Sequence, residues 1–224
     1  MCKLKSAIIL KDRIFIPDYD SHSDMLNELG IEDNYLGASK KFVRAELSPK
    51  DNDVFSPVDT WEFTVDQDIV PEWFSVDEYK PQMVEAVKKW AEAHIHIGVD
   101  GLKIESGKNH YIKDCKNVEI YDSATVEYIY GSATVKNICG SATVKNIYGS
   151  ATVKNICDSA TVEYICGSAT VISSPYYKWK NAESLIIADN ATFKDNYGKV
   201  IYQSGDYKLI SLESKTKIGE AKNV

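Results

Sequence analysis

The side chains best suited to chemistry are few and scattered. His94 and His96 flank Ile95 at a spacing that would place both imidazoles on one face of a strand, an arrangement that suits a metal ion. No third ligand stands beside them in the sequence, so the pair reads as structural. Asp51-Asn52-Asp53 and Asp66-Gln67-Asp68 offer oxygen donors, but neither continues with the glycine and distal glutamate of an EF-hand loop. Turn chemistry explains both. GxSxG, P-loop, GxGxxG and HExxH patterns are missing, and no acid is paired with a base, so the chain is read as non-catalytic, with no metal and no cofactor. Trp61, Trp73 and Phe74 stand in an acidic surround, the setting of contact centres in protein interfaces, although the same rings would also fill a small domain's core.

The element that must organise these residues is a nonapeptide repeat. Copies begin at Asp122, Gly131, Gly140, Gly149, Asp158 and Gly167, and Ser-Ala-Thr-Val is unchanged in all six. Self-similarity at a short fixed period marks a solenoid, in which a single repeat cannot bury its apolar face and stacked neighbours form the core. Thr125, Val126 and Ile129 are β-branched and favour strands. Ala124 and Val126 should face inward, Ser123 and Thr125 outward. Ile129 follows Val126 by three residues, so a bend near Glu127-Tyr128 is expected. Gly131, Gly140 and Gly149 suit corners with positive φ, and Asp122 and Asp158 replace glycine there as residues that tolerate the left-handed region.

Nine residues read as half a coil. The ninth position runs Tyr130, Cys139, Tyr148, Cys157, so copies two apart match while neighbours differ. An eighteen-residue coil would stack Tyr130 with Tyr148 on one face and Cys139 with Cys157 on the other. Glu127, Lys145 and Glu163 would form a charge ladder, and Lys136 and Lys154 would lie opposite, beside an amide ladder of Asn137 and Asn155. A coil of twenty-seven residues would also pair Glu127 with Lys154 and stays open, with eighteen favoured. Five cysteines, an odd number without CxxC, argue against an obligatory disulfide framework, and Cys139 and Cys157 read as small residues lining a ladder. The internal Asp and glycine pair of calcium-binding β-rolls is missing, so no calcium is expected.

The net charge of −7 is uneven. Residues 1–100 carry 20 acidic and 11 basic side chains, net −9; residues 101–224 carry 13 and 15, net +2. Clustered Lys and Arg are lacking, which disfavours direct nucleic-acid binding. The longest early apolar run, Ala7 to Leu10, is too short for a signal or membrane segment, which predicts a cytoplasmic protein without a membrane partner. Ala7 to Ile16 reads as a hairpin, Ser21 to Leu29 as a helix stopped by Gly30, Lys41 to Leu47 and Thr60 to Asp66 as strands, and Asp77 to Ala93 as a longer helix.

The expected fold is mainly β: a small N-terminal α+β domain followed by a short parallel β-solenoid with irregular caps. Its parts are an acidic domain at 1–98, a linker and N-terminal cap at 99–121 around Gly98 and Gly101, repeats at 122–171, an irregular C-terminal cap at 172–212 and a flexible tail at 213–224. Ser173-Ser174-Pro175 should interrupt the ladder, residues 189–197 form a degenerate copy, and strands at 199–203 and 206–212 close the stack.

The GSATVxxIx copies over 122–171, and less closely 189–197, resemble the nonapeptide repeats of uncharacterised proteins from gut bacteria and their phages. Ile14-Phe-Ile-Pro-Asp-Tyr19 and Val65-Asp-Gln-Asp68 with Pro71 and Trp73 are similar to segments preceding such repeats. The resemblance implies a mobile-element or phage origin and brings no assigned activity. The expectation is a binding or scaffold protein for a host or phage protein, with Trp61, Trp73, Phe74, Asp51, Asp53, Asp66 and Asp68 as contact residues. The acidic run, which also holds Asp59, Glu62, Glu72, Asp77 and Glu78, admits a DNA mimic as a sub-variant. A self-assembling structural protein is the alternative, more easily a homodimer than a filament because the ends read as caps. A carbohydrate-active enzyme, and an ice-binding surface built on the Ser and Thr rows, rank below these.

Overall fold

The computed structural model describes residues 5–172, 185–187, 191–194, 200–202 and 208–210. The chain divides into two compact units, Met1–Ile95 and His96–Val224.

The first unit is built on one antiparallel sheet in the order β2-β1-β3-β4: β1 (Lys5–Leu10), β2 (Ile14–Phe15), β3 (Phe42–Ser48) and β4 (Glu62–Val65). The predicted hairpin forms, closed by Leu10 N donating to Arg13 O at 2.8 Å. Helix α1 (His22–Glu28) starts where Ser21 caps Asp24 N, and Gly30 ends it in a left-handed conformation. Met25 and Leu26 of α1 pack on Ile8 and Phe42 of the sheet. A second helix, α2 (Tyr35–Lys40), was not expected; Asn34 caps it through Gly37 N, and only Gly37 is buried, so it carries no apolar stripe to read. The long helix α3 (Val76–His94) buries Tyr79, Met83, Val87 and Trp90 at helical spacing. Lys5 is fully buried yet satisfied: its ammonium donates to Pro17 O at 2.6 Å and Asp20 Oδ1 at 3.0 Å and lies 4.9 Å above the Trp90 ring.

The second unit is a β-solenoid with two strands per coil. One seven-stranded sheet holds Ile95–Ile97, His110–Lys113, Thr125–Tyr130, Thr143–Ile147, Thr161–Ile165, Leu185–Ile187 and Lys208–Ile210. The other holds Lys103–Ile104, Val118–Ile120, Thr134–Ile138, Thr152–Val153, Thr170–Ile172, Thr192–Lys194 and Val200–Tyr202. Thr125 pairs with Thr143 and Thr143 with Thr161, all in parallel register, so the coil advances by eighteen residues and the twenty-seven-residue alternative falls away. Each of the first five copies turns Ala, Val and Ile inward, the sixth adds Ala169 and Val171, and these residues form one continuous core. Full burial of a Val or Ile side chain is worth about 1.5–3 kcal/mol, so the core is the main source of the solenoid's stability. The two outward residues between Val126 and Ile129 mark the expected break in alternation, and pairing skips Lys145 opposite Glu127.

The corners follow the residue types. Gly131, Gly149 and Gly167 have φ of 69–71° and stack so closely that a Cβ on Gly149 would stand 3.0 Å from the Gly131 backbone. Asp122 and Asp158 adopt the same left-handed conformation in the other column, around Gly140.

Two expectations change. The linker expected around Gly98 to Gly101 is part of the solenoid: both glycines are left-handed corners whose N–H groups donate to Lys113 O and Lys116 O, both at 2.9 Å, and the degenerate strands expected over 102–121 join the two sheets. A glycine pair marks a change of direction, which a linker and a solenoid corner share. Cys139 and Cys157 are joined in a disulfide across eighteen residues, because equivalent positions on consecutive coils stand 4.8 Å apart at Cα. Stacking thus overrides the parity argument. The end strands Val200–Tyr202 and Lys208–Ile210 close the two sheets as expected, running antiparallel to their neighbours. The degenerate copy appears as Thr192–Lys194, pairing with Thr170–Ile172. Ser173-Ser174-Pro175 and the tail at 213–224 lie outside the described residues.

Candidate functional site

On the solenoid, one sheet displays a column of tyrosines. Tyr111, Tyr128 and Tyr148 stack with centroid separations of 5.8 and 5.9 Å, and Tyr164 continues the column at 6.0 Å with its ring tilted by 54°. The column mixes two repeat positions: Tyr128 and Tyr164 occupy the seventh, while Tyr148 comes from the ninth of a copy whose seventh is Asn146. Tyr148 donates to Asn146 Oδ1 at 3.0 Å, and Asn146 Nδ2 donates to Glu127 O at 3.1 Å, so the amide holds the ring over the gap it leaves. The sequence paired Tyr148 with Tyr130 by position; instead its ring stacks between Tyr128 and Tyr164, while Tyr130 lies under the Lys113 ammonium at 5.7 Å. Burial pushes the Tyr148 phenol up, so it stays a neutral donor.

Beside this column runs the charge ladder, with Lys145 Nζ 2.8 Å from Glu127 Oε1 and Glu163 one coil further on. On the other sheet Lys136 and Lys154 are exposed one coil apart, and Asn155 Nδ2 donates to Asn137 Oδ1 at 3.1 Å, the expected amide ladder. Asp114, a corner residue with positive φ, accepts from Ser132 N at 2.7 Å and Ser132 Oγ at 2.9 Å, which lowers its carboxyl below the ordinary value.

In the first unit the predicted contact residues divide. Trp61 is 2% exposed and donates from Nε1 to Ser56 O and Oγ, so it belongs to the core and is no contact anchor. Trp73 and Phe74 are half-buried in an aromatic cluster with Tyr79, and Trp73 Nε1 donates to Lys40 O at 2.9 Å. Asp51 and Asp53 are exposed; Asp53 Oδ1 accepts from Phe55 N at 3.1 Å, and Asp51 sits in a left-handed turn conformation. Asp68 is exposed in the segment after β4, and Asp59 pairs with Lys88 at 2.8 Å.

Asp66 has a different setting. Its Oδ2 lies 3.3 Å from His22 Nδ1, and the opposite ring nitrogen of His22 lies 3.3 Å from the Ala45 carbonyl. An open cleft of about 360 Å³ lies here, lined by Ser21, His22, Ser23, Asp33, Arg44 and Asp66, with Arg44 and Asp33 ion-paired. Gln67 fixes the segment: Oε1 accepts from Arg44 N at 2.8 Å, and Nε2 donates to Phe42 O at 3.2 Å and Ile69 O at 2.6 Å. Sequence reading included Asp66 but not His22, whose only local signal is the helix start beside Ser21.

His94 and His96 do not share a face. His94 ends α3, stacks on Trp90 and is bonded to Trp90 O and Asp18, whereas His96 lies in a strand and faces His110, ring nitrogens 3.4 Å apart. The helix continues through His94, so strand spacing does not apply to the pair.

Fold and surface together define the class: a β-solenoid with ladder-lined sheets and an α+β unit. Comparison with known proteins found no matching family model, no matching curated protein and no matching solved structure.

Proposed function

We propose that this chain is a non-catalytic binding module whose solenoid presents a rigid, tyrosine-lined sheet to another protein. The observation that carries the reading is the tyrosine column, in which Tyr128 is 37% exposed, together with Tyr130 of the same strand, 44% exposed. Tyrosine supplies large contact area at low cost in side-chain entropy, and stacked rings on a hydrogen-bonded sheet are already ordered before a partner arrives. The acidic unit adds Asp51, Asp53 and Asp68 as exposed charge, which favours a partner with a basic rim. Pairing of Asp59 with Lys88 and proximity of Asp66 to His22 weaken the charge run on which a DNA mimic would rely.

The test is capture of partners from a bacterial lysate by full-length protein and by a Tyr128→Ala, Tyr130→Ala variant at two salt concentrations. A stoichiometric partner held by the parent and lost by the variant supports the reading. A partner that both retain equally, or recovery of the protein alone, removes it, and the latter favours self-assembly.

A further inference from the structure

We propose that His22, Glu46 and Asp66 form a binding site for one divalent metal ion of the zinc class, with an open coordination position toward the neighbouring cleft. The three residues come from three elements: the start of α1, the middle of β3 and the residue after β4. One ligand atom from each lies within 4.8 Å of the others. His22 and Glu46 are each 6% exposed and Asp66 is exposed, so the donors run from the interior outward.

The histidine is oriented as a ligand. A carbonyl can only accept, so the nitrogen facing Ala45 O is the N–H, and in the neutral ring Nδ1 carries the lone pair. Metal-bound histidines characteristically donate their other N–H to such an acceptor. The Nδ1 lone pair points at the Asp66 carboxylate, 3.3 Å away, so two acceptors face each other and a proton or a metal cation must stand between them. Ligands about 2.05 Å from a tetrahedral zinc lie about 3.3 Å apart, the separation found between His22 and Asp66, and Glu46 lies within 4.8 Å of both.

A second observation is independent of the three ligands. Ser6 stands directly across the sheet from Glu46, on the same face, and is fully buried. Its hydroxyl has no hydrogen-bond partner among the described residues, although buried polar groups nearly always have one. A hydroxyl on the cross-strand neighbour of Glu46 is suited to hold its carboxylate once a cation draws that group in. Asp66 is preset in the same way, its N–H donating to Arg44 O at 2.9 Å. One imidazole and two carboxylates neutralise a divalent ion and, lacking thiolate, suit zinc and its cobalt substitute.

The test uses chelator-treated full-length protein titrated with zinc chloride by calorimetry and with cobalt chloride by visible absorption. One equivalent should bind, cobalt should give the band of a four-coordinate site without thiolate charge transfer, and the His22 Nδ1 resonance should move. Asp66→Asn, an exposed position that leaves the fold intact, should weaken binding at least about tenfold, whereas Asp68→Asn should not. Failure to bind one equivalent, equal affinity in Asp66→Asn, or a thiolate band from the cysteines would overturn the site.

Discussion

The two units solve the same problem by opposite means. In the solenoid a single rule, Ala, Val and Ile inward at fixed intervals, is repeated, and polar residues meet their own equivalents one coil away: Asn137 with Asn155, Cys139 with Cys157, Gly131 with Gly149. In the N-terminal unit the contacts are singular, and those that tie its elements together are long in sequence, such as Lys5 with Asp20, Gln67 with Phe42 and Tyr79 with Lys11. Repetition makes stability a sum of neighbouring interfaces. Singular contacts concentrate it in a few side chains.

The sharpest challenge to that contrast is a pair of core substitutions. Ile147→Ala should cost about 2–5 kcal/mol. Hydrogen exchange should locate the loss in the adjoining rungs around Ile129 and Ile165, with the amides of Met25 and Leu26 unchanged. Lys5→Ala should cost about 3 kcal/mol, because Asp20 is 30% exposed and keeps the Ser6 N–H, yet it should loosen the whole N-terminal sheet. Equal spreading of both losses would erase the distinction.

Next in size is the covalent tie. Replacing Cys139 and Cys157 by serine should lower stability by up to about 3 kcal/mol, the loop-closure value for a loop of this length, read from denaturant midpoints. No change would mean that the stacked coil already confines the chain as tightly as the bond does. Gly149→Ala follows at about 1–2 kcal/mol, since it forces a side chain into positive φ against the Gly131 backbone. The smallest effect concerns Asp114. Its folded carboxyl is lowered, so its contribution is present above the ordinary carboxylate value of about 4 and is lost as pH falls toward the folded value. The thermal midpoint of the parent should therefore fall between pH 5 and pH 3 by slightly more than that of Asp114→Asn, and identical curves would count against the Ser132 contact.

Legibility divides along the same line. Strand types, inward residues, glycine corners and the eighteen-residue advance were readable in the nonapeptide because each is a local rule enforced many times. The tyrosine column was only half readable: Tyr148 crosses from the ninth position to fill the place of Asn146, a substitution that depends on the neighbouring coil and not on the repeat itself. Helix α2 was invisible because its one buried residue, Gly37, gives no stripe. Trp61 could be read as contact or core because an indole in an acidic stretch looks alike whether it is covered or bare; the structure covers it. His22, Glu46 and Asp66 lie too far apart in sequence to form a pattern, and only the sheet and α1 bring them together.

The eighteen-residue coil also sets a parity on heredity. Recombination between tandem copies adds or removes whole nonapeptides, and an odd change turns everything downstream by half a coil. Tyr148 would then lie over Cys139, and the disulfide would lose its partner. An even change lengthens or shortens the stack while every column keeps its neighbours. A change by two copies thus keeps both the core and the ladders, whereas a change by one keeps the core and breaks the ladders and the disulfide.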